Sequence, residues 1–459
     1  MFSKSEYNKY LEGLTDGQNV AFHMITEWLF KYYSLDIEKR KDGQVFVLSG
    51  YAGTGKSYLM GIIDKFLREY YRNEYAVQAC AYTGKASTVL AEKDMKSTTM
   101  HHLLYIPLVK TVNGIKKLIW KRRGYLDSGI KLIIVDEASM MPYRLYEDLK
   151  KLGLPILAVG DGFQLPSITE GTNLLEQPDY TLTEITRQAL DNSIIRLSML
   201  VRDGGSIPYG DYGENVQVVS RKNLYAKDYI EIIKNYDQLL VGTNRSRLYY
   251  NTLYRQHLLG DHYDNNPLPC DGEKIIVTKN NWDFTIDDQG EYSLFNGLVG
   301  TVKNIKPTNM KQLDEMKLNI SFGDKDFITN WFIYDTGIFR ETLDNTIRFP
   351  FYMADERVLQ DDEGNYVVKK IESDYEILSK EEKKDYINLM FNKESEYGLK
   401  INQIDYAYAI SVHKFQGSEA DNICVIDESW IFGREDPEYQ LRWLYTAITR
   451  AKKFLLLIK

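Results

Sequence analysis

Residues 45–57 read VFVLSGYAGTGKS. The apolar β-type run Val45, Phe46, Val47, Leu48 empties into a glycine-rich turn ending in Lys56 and Ser57, and residues 58–70 then carry apolar side chains at helical spacing. The order is strand, phosphate loop, helix. Gly50, Gly53 and Gly55 let the backbone wrap closely around a polyphosphate, so that successive N–H groups and the helix N-terminus face its oxygens. Lys56 is placed to reach the β- and γ-phosphates, and the Ser57 hydroxyl to ligate Mg²⁺. A glycine turn that binds nothing is the plainer reading, but the complete Gly-x₄-Gly-Lys-Ser pattern stands in the strand-to-helix context that gives it meaning. A nucleoside triphosphate, ATP with Mg²⁺, is the ligand this stretch predicts.

Composition bounds the rest. The 459 residues are 44% hydrophobic and 27% charged, ordinary for a globular protein of two to four domains. No apolar run is long enough to span a bilayer, and the N-terminus lacks a signal-peptide pattern, so the expected location is cytoplasmic. Cys80, Cys270 and Cys424 lie far apart and suggest neither zinc nor a disulfide framework. Net charge is −8, which counts against nucleic-acid binding by bulk charge, although a groove can be locally basic on an acidic protein. Residues 110–123, KTVNGIKKLIWKRR, are such a basic stretch, whereas residues 355–396 are acidic.

Upstream of the phosphate loop, residues 14–33 predict an amphipathic helix capped by Thr15, with Gln18 in its first turn. Residues 76–81 predict a second strand, followed by Thr83, Gly84 and Lys85 at the start of a helix, a second anion-binding arrangement of the same kind. Residues 97–103, STTMHHL, set Thr99, His101 and His102 on a short turn; alone, they read as capping or packing groups. Residues 105–127 predict a projecting basic hairpin, with Asn113-Gly114 as its turn and Lys116 on its second strand. It is equally readable as a plain surface hairpin. In KLIIVDEASM, residues 131–140, a buried parallel strand ends in Asp136 and Glu137, where open α/β sheets place their ligands. Asp136 is assigned to Mg²⁺ and Glu137 to the attacking water. Residues 154–159 predict the next strand, opening into GDGFQLP with Gln164 within reach of a γ-phosphate. Arg187 is a candidate cation for developing phosphate charge.

From residue 193 the pattern starts afresh. Residues 238–244 predict a strand and 248–259 a helix, as if a second α/β core begins without its own phosphate loop. Residues 272–339 break into short β segments that suggest an inserted small barrel. Residues 349–400 are acidic, aromatic and predicted partly helical over 379–391. Residues 405–410 and 422–426 return as strands of the second core, residues 440–453 as a helix and 454–458 as a last strand. Arg450, near the end of that helix, is placed to reach across a cleft to a phosphate held by the first core.

In this order the motifs resemble those of a superfamily 1 helicase of the RecD and phage Dda type, the branch that moves 5′ to 3′ on single-stranded DNA. The resemblance rests on Gln18, GYAGTGKS, AYTGKAS, TTMHHL, VDEASM, GDGFQLP, TRQ, TNRSRLYYN, GEKIIVTKNN, FNGLVGTV, SVHKFQGSE and LYTAITRAKK. It implies two RecA-like parallel-sheet cores, residues 1–104 with 128–192 and residues 193–270 with 401–459. A β-hairpin pin at 105–127 and an SH3-like β-barrel insertion with its acidic extension at 271–400 complete the expectation.

The resemblance further implies that Lys56, Asp136, Glu137, Gln164, Arg187 and Arg450 are catalytic. ATP would meet Gln18, Gly50, Ala52, Gly53, Thr54, Gly55, Lys56, Ser57, Tyr58, Gly417 and Glu419, with Mg²⁺ on Ser57 and Asp136. DNA would meet Thr83, Lys85, Thr99, His101, Asn113, Lys116, Thr243, Asn244, Ser411, His413 and Lys414. Single-stranded and forked duplex DNA are the implied partners, for a monomer acting in replication, repair or recombination, with a single-strand-binding protein among its compatible partners and a phage among its compatible sources. Tyr82 stands where the family has a proline, Phe415 where it has a small serine, and Ser167 where it has a second proline. The hairpin tip, Val112-Asn113-Gly114-Ile115, lacks the family's aromatic, with Trp120 farther back. Two other readings fit the same motifs: a translocase that strips proteins from single strands without separating duplex, and a nucleotide-gated binding or loading switch.

Overall fold

A computed structural model describes residues 7–91, 93–112, 115–166, 174–260, 270–277, 281–285, 293–294, 297–310, 313–322, 325–334, 356–360, 366–370, 404–434 and 436–459. Asn113-Gly114, Ser167 and the acidic helical stretch 379–391 lie outside the described residues.

The first core opens with α1 (Asp16–Ser34), then β1 (Val45–Gly50), α2 (Lys56–Tyr71), β2 (Val77–Ala81), α3 (Gly84–Ala91), β3 (Ser97–Thr99) and α4 (Met100–Leu104). A hairpin of β4 (Tyr105–Val112) and β5 (Ile115–Arg122) follows, then β6 (Leu132–Asp136), α5 (Tyr143–Lys150), β7 (Ile156–Gly160) and β8 (Tyr180–Leu182). Six parallel strands run in the order β3-β2-β6-β7-β1-β8. The near-continuous apolar runs of β1, β6 and β7 follow from burial on both faces. One face packs Phe22, Leu29, Leu59 and Phe66 of α1 and α2, the other Met100, Leu104, Leu145 and Leu149 of α4 and α5.

The chain then passes through α6 (Arg187–Leu190) and α7 (Ser193–Arg202) to β9 (Gly210–Asp211), β10 (Val216–Val219), α8 (Ala226–Asn235), β11 (Gln238–Val241) and α9 (Asn244–Leu259). Strands β12 (Lys274–Val277), β13 (Asn281–Thr285), β14 (Ser293–Leu294), β15 (Val299–Met310), β16 (Leu313–Phe322), β17 (Lys325–Tyr334), β18 (Glu356–Gln360) and β19 (Tyr366–Lys370) interrupt the second core. The interruption ends with β20 (Ile404–Tyr406), and the second core resumes with β21 (Ala409–Ser411), β22 (Ala420–Ile426), α10 (Pro437–Ile448) and β23 (Ala451–Ile458). The second sheet has the order β21-β11-β22-β23-β10-β9, parallel except for β9. Its faces are covered by α7 with α10 and by α8 with α9. The interruption contains a five-stranded antiparallel sheet, β17-β16-β15-β12-β20.

Two expectations are corrected. Residues 405–410 are not one strand. β20 pairs antiparallel with β12 and β21 parallel with β11, because Asn251 takes the carbonyls of Tyr406 and Ala409 while Gln238 takes those of Ala407 and Tyr408. The last helix runs Pro437–Ile448, capped by Asp436, rather than 440–453, and β23 begins at Ala451. Arg450 therefore stands in the turn between helix and strand, where its side chain folds back on Thr446 O. Among the described residues no helix is long and apolar enough to cross a membrane.

Candidate functional site: a nucleotide cleft between two cores

The phosphate loop begins where β1 ends, at Gly50. Gly53 (φ +79°) and Gly55 (φ +76°) take the left-handed backbone that side chains disfavour, and Gly55 caps α2 without a side-chain hydrogen bond. A helix end of this kind has N–H groups to offer an anion. Lys56 Nζ donates to Gly50 O at 2.7 Å and Tyr51 O at 3.0 Å, curling over the loop. Ser57 is half-buried in the first turn of α2, Thr54 is buried beneath the loop with Oγ1 on Tyr51 O, and Tyr58 is exposed.

Gln18 has work inside the protein. Its N–H is accepted by Thr15 Oγ1, its Oε1 accepts Thr15 N–H at 3.0 Å, and its Nε2 donates to Thr54 O at 2.9 Å. It thus closes a capping box on α1 and straps that helix to the phosphate loop, with both ends of its amide engaged. A side chain on Gly55 would collide with Gln18 Nε2, so the strap itself requires glycine there.

Asp136 and Glu137 end β6 beside the loop. Glu137 holds a left-handed backbone (φ +51°), uncommon for a residue with a side chain and frequent where strain serves a site. Its N–H donates to Asp136 Oδ1 at 2.9 Å. Burial raises both carboxylates above their ordinary range. Arg450 and Lys56 draw Glu137 back down, whereas Asp136 and Asp161 push it up; Asp136 feels Lys56, Lys93 and Glu419. Groups from both cores therefore converge electrostatically on one carboxylate pair. Arg450 is 2% exposed, and it is aimed by Thr446 O at 3.0 Å, Thr449 Oγ1 at 3.3 Å and Ser418 O at 3.4 Å. Gln164 is buried in the turn after β7, its N–H on Asp161 O. Arg187 is the first residue of α6, in the segment where Thr186 N–H closes on Gly53 O.

Residues 39–221 match the family model described as an AAA domain, and residues 406–458 match the UvrD-like helicase C-terminal domain. Over these two stretches the chain is similar to the two families. The protein "ATP-dependent DNA helicase PIF1" of Emericella nidulans is 35% identical over 148 residues, 28% of this chain and 19% of the relative. Its namesake from Candida albicans is 28% identical over 229 residues, 42% of this chain and 24% of the relative. The chain thus spans about a fifth to a quarter of the length of these curated relatives. The crystal structure of Pif1 helicase from Candida albicans is similar at a TM-score of 0.44 and 16% identity, covering 97% of this chain and 94% of that one.

The residues read as DNA contacts are placed unevenly. In the first core, Thr83 caps α3 through Ala86 N–H, and Gly417 of the second core (φ +69°) lies against it; a Cβ there would meet Thr83 Oγ1 at 2.8 Å. Lys85 is the second residue of α3. Thr99 caps α4, and His101 sits between the rings of Tyr82 and Tyr105, its pKa lowered by burial and then by Arg144. Lys116 is on β5, and Asn113 lies outside the described residues.

In the second core, Thr243 caps α9 through Ser246 N–H, and the backbone N–H groups of Gly242 and Thr243 donate to Glu428 Oε2 at 2.7 and 3.1 Å. Asn244 beside them is exposed. Ser411 ends β21 and is buried. His413 Nε2 bonds Tyr439 Oη at 2.7 Å, and burial lowers its pKa. Lys414 is lowered by burial and by Arg247. Phe415, in place of a serine, fills the second core cluster. Glu419 is exposed, 3.7 Å from Lys452.

Motif reading passed over the groups that join the two cores: Tyr445, Thr446 and Gln416 of the second, which bond Ala52, Asp161 and Leu165 of the first. It also passed over Glu428. A hydroxyl or amide in the middle of an otherwise apolar run was the available signal, since such groups seek a partner when buried.

Proposed function

We propose that this chain is an ATP-dependent DNA helicase that moves 5′ to 3′ on single-stranded DNA and separates duplex ahead of it. One observation carries the reading: the second core closes on the phosphate loop of the first, Tyr445 Oη accepting Ala52 N–H at 2.8 Å and Thr446 Oγ1 accepting Leu165 N–H at 2.9 Å, on the helix that leads to Arg450. A site completed by two bodies lets hydrolysis depend on how they close, and closure is how such a site moves a strand. The relatives named as ATP-dependent DNA helicases support the same reading.

In this proposal Lys56 holds the β- and γ-phosphates, Glu137 orients the water, Gln164 senses the γ-phosphate, and Arg187 and Arg450 meet the charge of the transition state. Gly50, Ala52, Gly53, Thr54, Gly55 and Tyr58 shape the nucleotide pocket, Gln18 braces it, and Gly417 and Glu419 face it from the second core. The donor set fits Mg²⁺: Ser57 and the buried Asp136 would hold it. When bound it neutralises the β- and γ-oxygens.

The DNA-contact residues, the domain boundaries and the SH3-like character of the insertion are carried over from the family resemblance. So is the pin role of the β4–β5 hairpin. A forked duplex with a 5′ tail, incubated with ATP and Mg²⁺, is expected to unwind; unwinding from a 3′ tail alone overturns the polarity. The aromatic-free tip Val112-Asn113-Gly114-Ile115 favours the translocase as second reading. Streptavidin displacement from single strands without strand separation would decide for it, and ATP turnover indifferent to DNA would decide for a switch.

A further inference from the structure

The segment that carries Gln164 leaves the first sheet at β7 but is held by the second core. Leu165 donates its N–H to Thr446 Oγ1 at 2.9 Å, accepts Gln416 Nε2 at its carbonyl at 2.8 Å, and buries its side chain in the second core cluster. Phe163 packs edge-on against Tyr445, ring centroids 5.2 Å apart at 88°, with the Arg442 guanidinium 5.8 Å from its ring centroid. Gln164 is thus bracketed on both sides by contacts to α10.

Within that bracket the Tyr445 hydroxyl makes two bonds. It donates to Asp161 Oδ2 at 2.7 Å and accepts the N–H of Ala52, in the phosphate loop, at 2.8 Å. Asp161 Oδ1 in turn accepts Phe163 N–H at 2.9 Å. A phenol has one proton to give, and the acceptor it finds is a carboxylate, so the direction of the relay is fixed from Ala52 through Tyr445 to Asp161. Both Tyr445 and Asp161 are buried, so water is no ready substitute for either bond.

We propose that Tyr445 is a positioning residue through which the second core fixes the Gln164 segment against the phosphate loop. Its hydroxyl is the joint: the loop on one side, the segment on the other, and the helix leading to Arg450 behind it. The kinetic half of this inference rests on the ATPase reading above; the structural half does not.

Tyr445→Phe keeps the ring and its packing and deletes only the joint. In the full chain without nucleotide, amide exchange over residues 50–54 and 161–165 is expected to quicken together by about ten-fold or more, with the strands of both sheets unchanged. In ATP turnover, kcat is expected to fall about ten-fold or more while KM stays within about three-fold, because Lys56 keeps its side chain and makes no bond to Tyr445. Adding Asp161→Asn to Tyr445→Phe should cost little more than either alone, since both act through one bond.

Unchanged exchange in both segments overturns the proposal. So does acceleration spread through both cores, which marks a merely structural side chain, and so do fully additive losses in the double variant. A chain that never turns over ATP but shows the paired exchange response sustains the joint and refutes the ATPase reading; turnover that is indifferent to Tyr445→Phe does the opposite.

Discussion

Each core has a strand-turn-helix corner rich in backbone N–H groups, and the two are filled differently. In the first, β1 runs through Gly50, Gly53 and Gly55 into α2, whose cap offers no side-chain hydrogen bond and whose lysine curls over the turn. In the second, β11 runs through Gly242 and Thr243 into α9, and the turn's N–H groups are already taken by the Glu428 carboxylate, which also accepts the Ser246 hydroxyl. Glu428 presses so closely that a Cβ on Gly242 would meet its own Cβ at 2.8 Å. An N–H-rich corner is therefore not yet a ligand site. What decides is whether the fold supplies its own anion.

The difference is broken most thoroughly by removing the first corner's cation. Lys56→Ala should lower ATP turnover by roughly a thousandfold or more with the fold intact, checked by turnover beside circular dichroism and Tm. Retained turnover would mean that the first corner is no more a nucleotide site than the second. Arg450→Ala comes next: it removes the charge the second core contributes, and a loss of about a thousandfold in kcat is expected with ATP binding largely kept. Equal loss of ATP affinity would reassign Arg450 to ground-state binding.

Much of the first corner was legible in sequence because its information is local. Thirteen consecutive residues hold the strand, the turn and the start of the helix, and the carboxylates of β6 announce themselves by ending an apolar run. The second corner was legible only as a strand and a helix, and Thr243 and Asn244 were read as DNA contacts. The group that fills its turn lies 186 residues away from Gly242, beyond any pattern of spacing. The same applies to Tyr445, which meets Ala52 at a separation of 393 residues. Where one strand becomes two, at β20 and β21, the cause is again remote: Asn251 and Gln238, not the local apolar run. Apolar periodicity reports which face is buried, and it carries no information on which distant polar group will satisfy a given turn.

The second corner can be emptied in turn. Glu428→Ala leaves two backbone N–H groups and a hydroxyl without their acceptor and should cost about 2 kcal/mol of stability, measured by urea unfolding. If the corner is an anion site that the protein has filled for itself, inorganic phosphate will raise the Tm of this variant more than that of the unsubstituted chain. Equal response to phosphate would show that the corner, even vacated, lacks the geometry of the first.

The helix behind the first corner provides the smallest and most selective test. Asp64 of α2 is 5% exposed and pairs with Arg68 at 2.8 Å, yet burial outweighs the arginine and pushes its pKa up to about 6. Its folded pKa lies above its unfolded one, so the native state binds the proton more tightly. The associated stability is fully present below about pH 4 and is lost as pH rises through about 6. Asp64→Asn should therefore gain on the unsubstituted chain by about 1–2 kcal/mol between pH 4 and pH 7, the full linkage being reduced by residual solvent screening. Urea unfolding at the two pH values measures it. A gap that shrinks with rising pH would mean that Arg68 outweighs burial, and that α2, like the corner of the second core, has its charges satisfied from within.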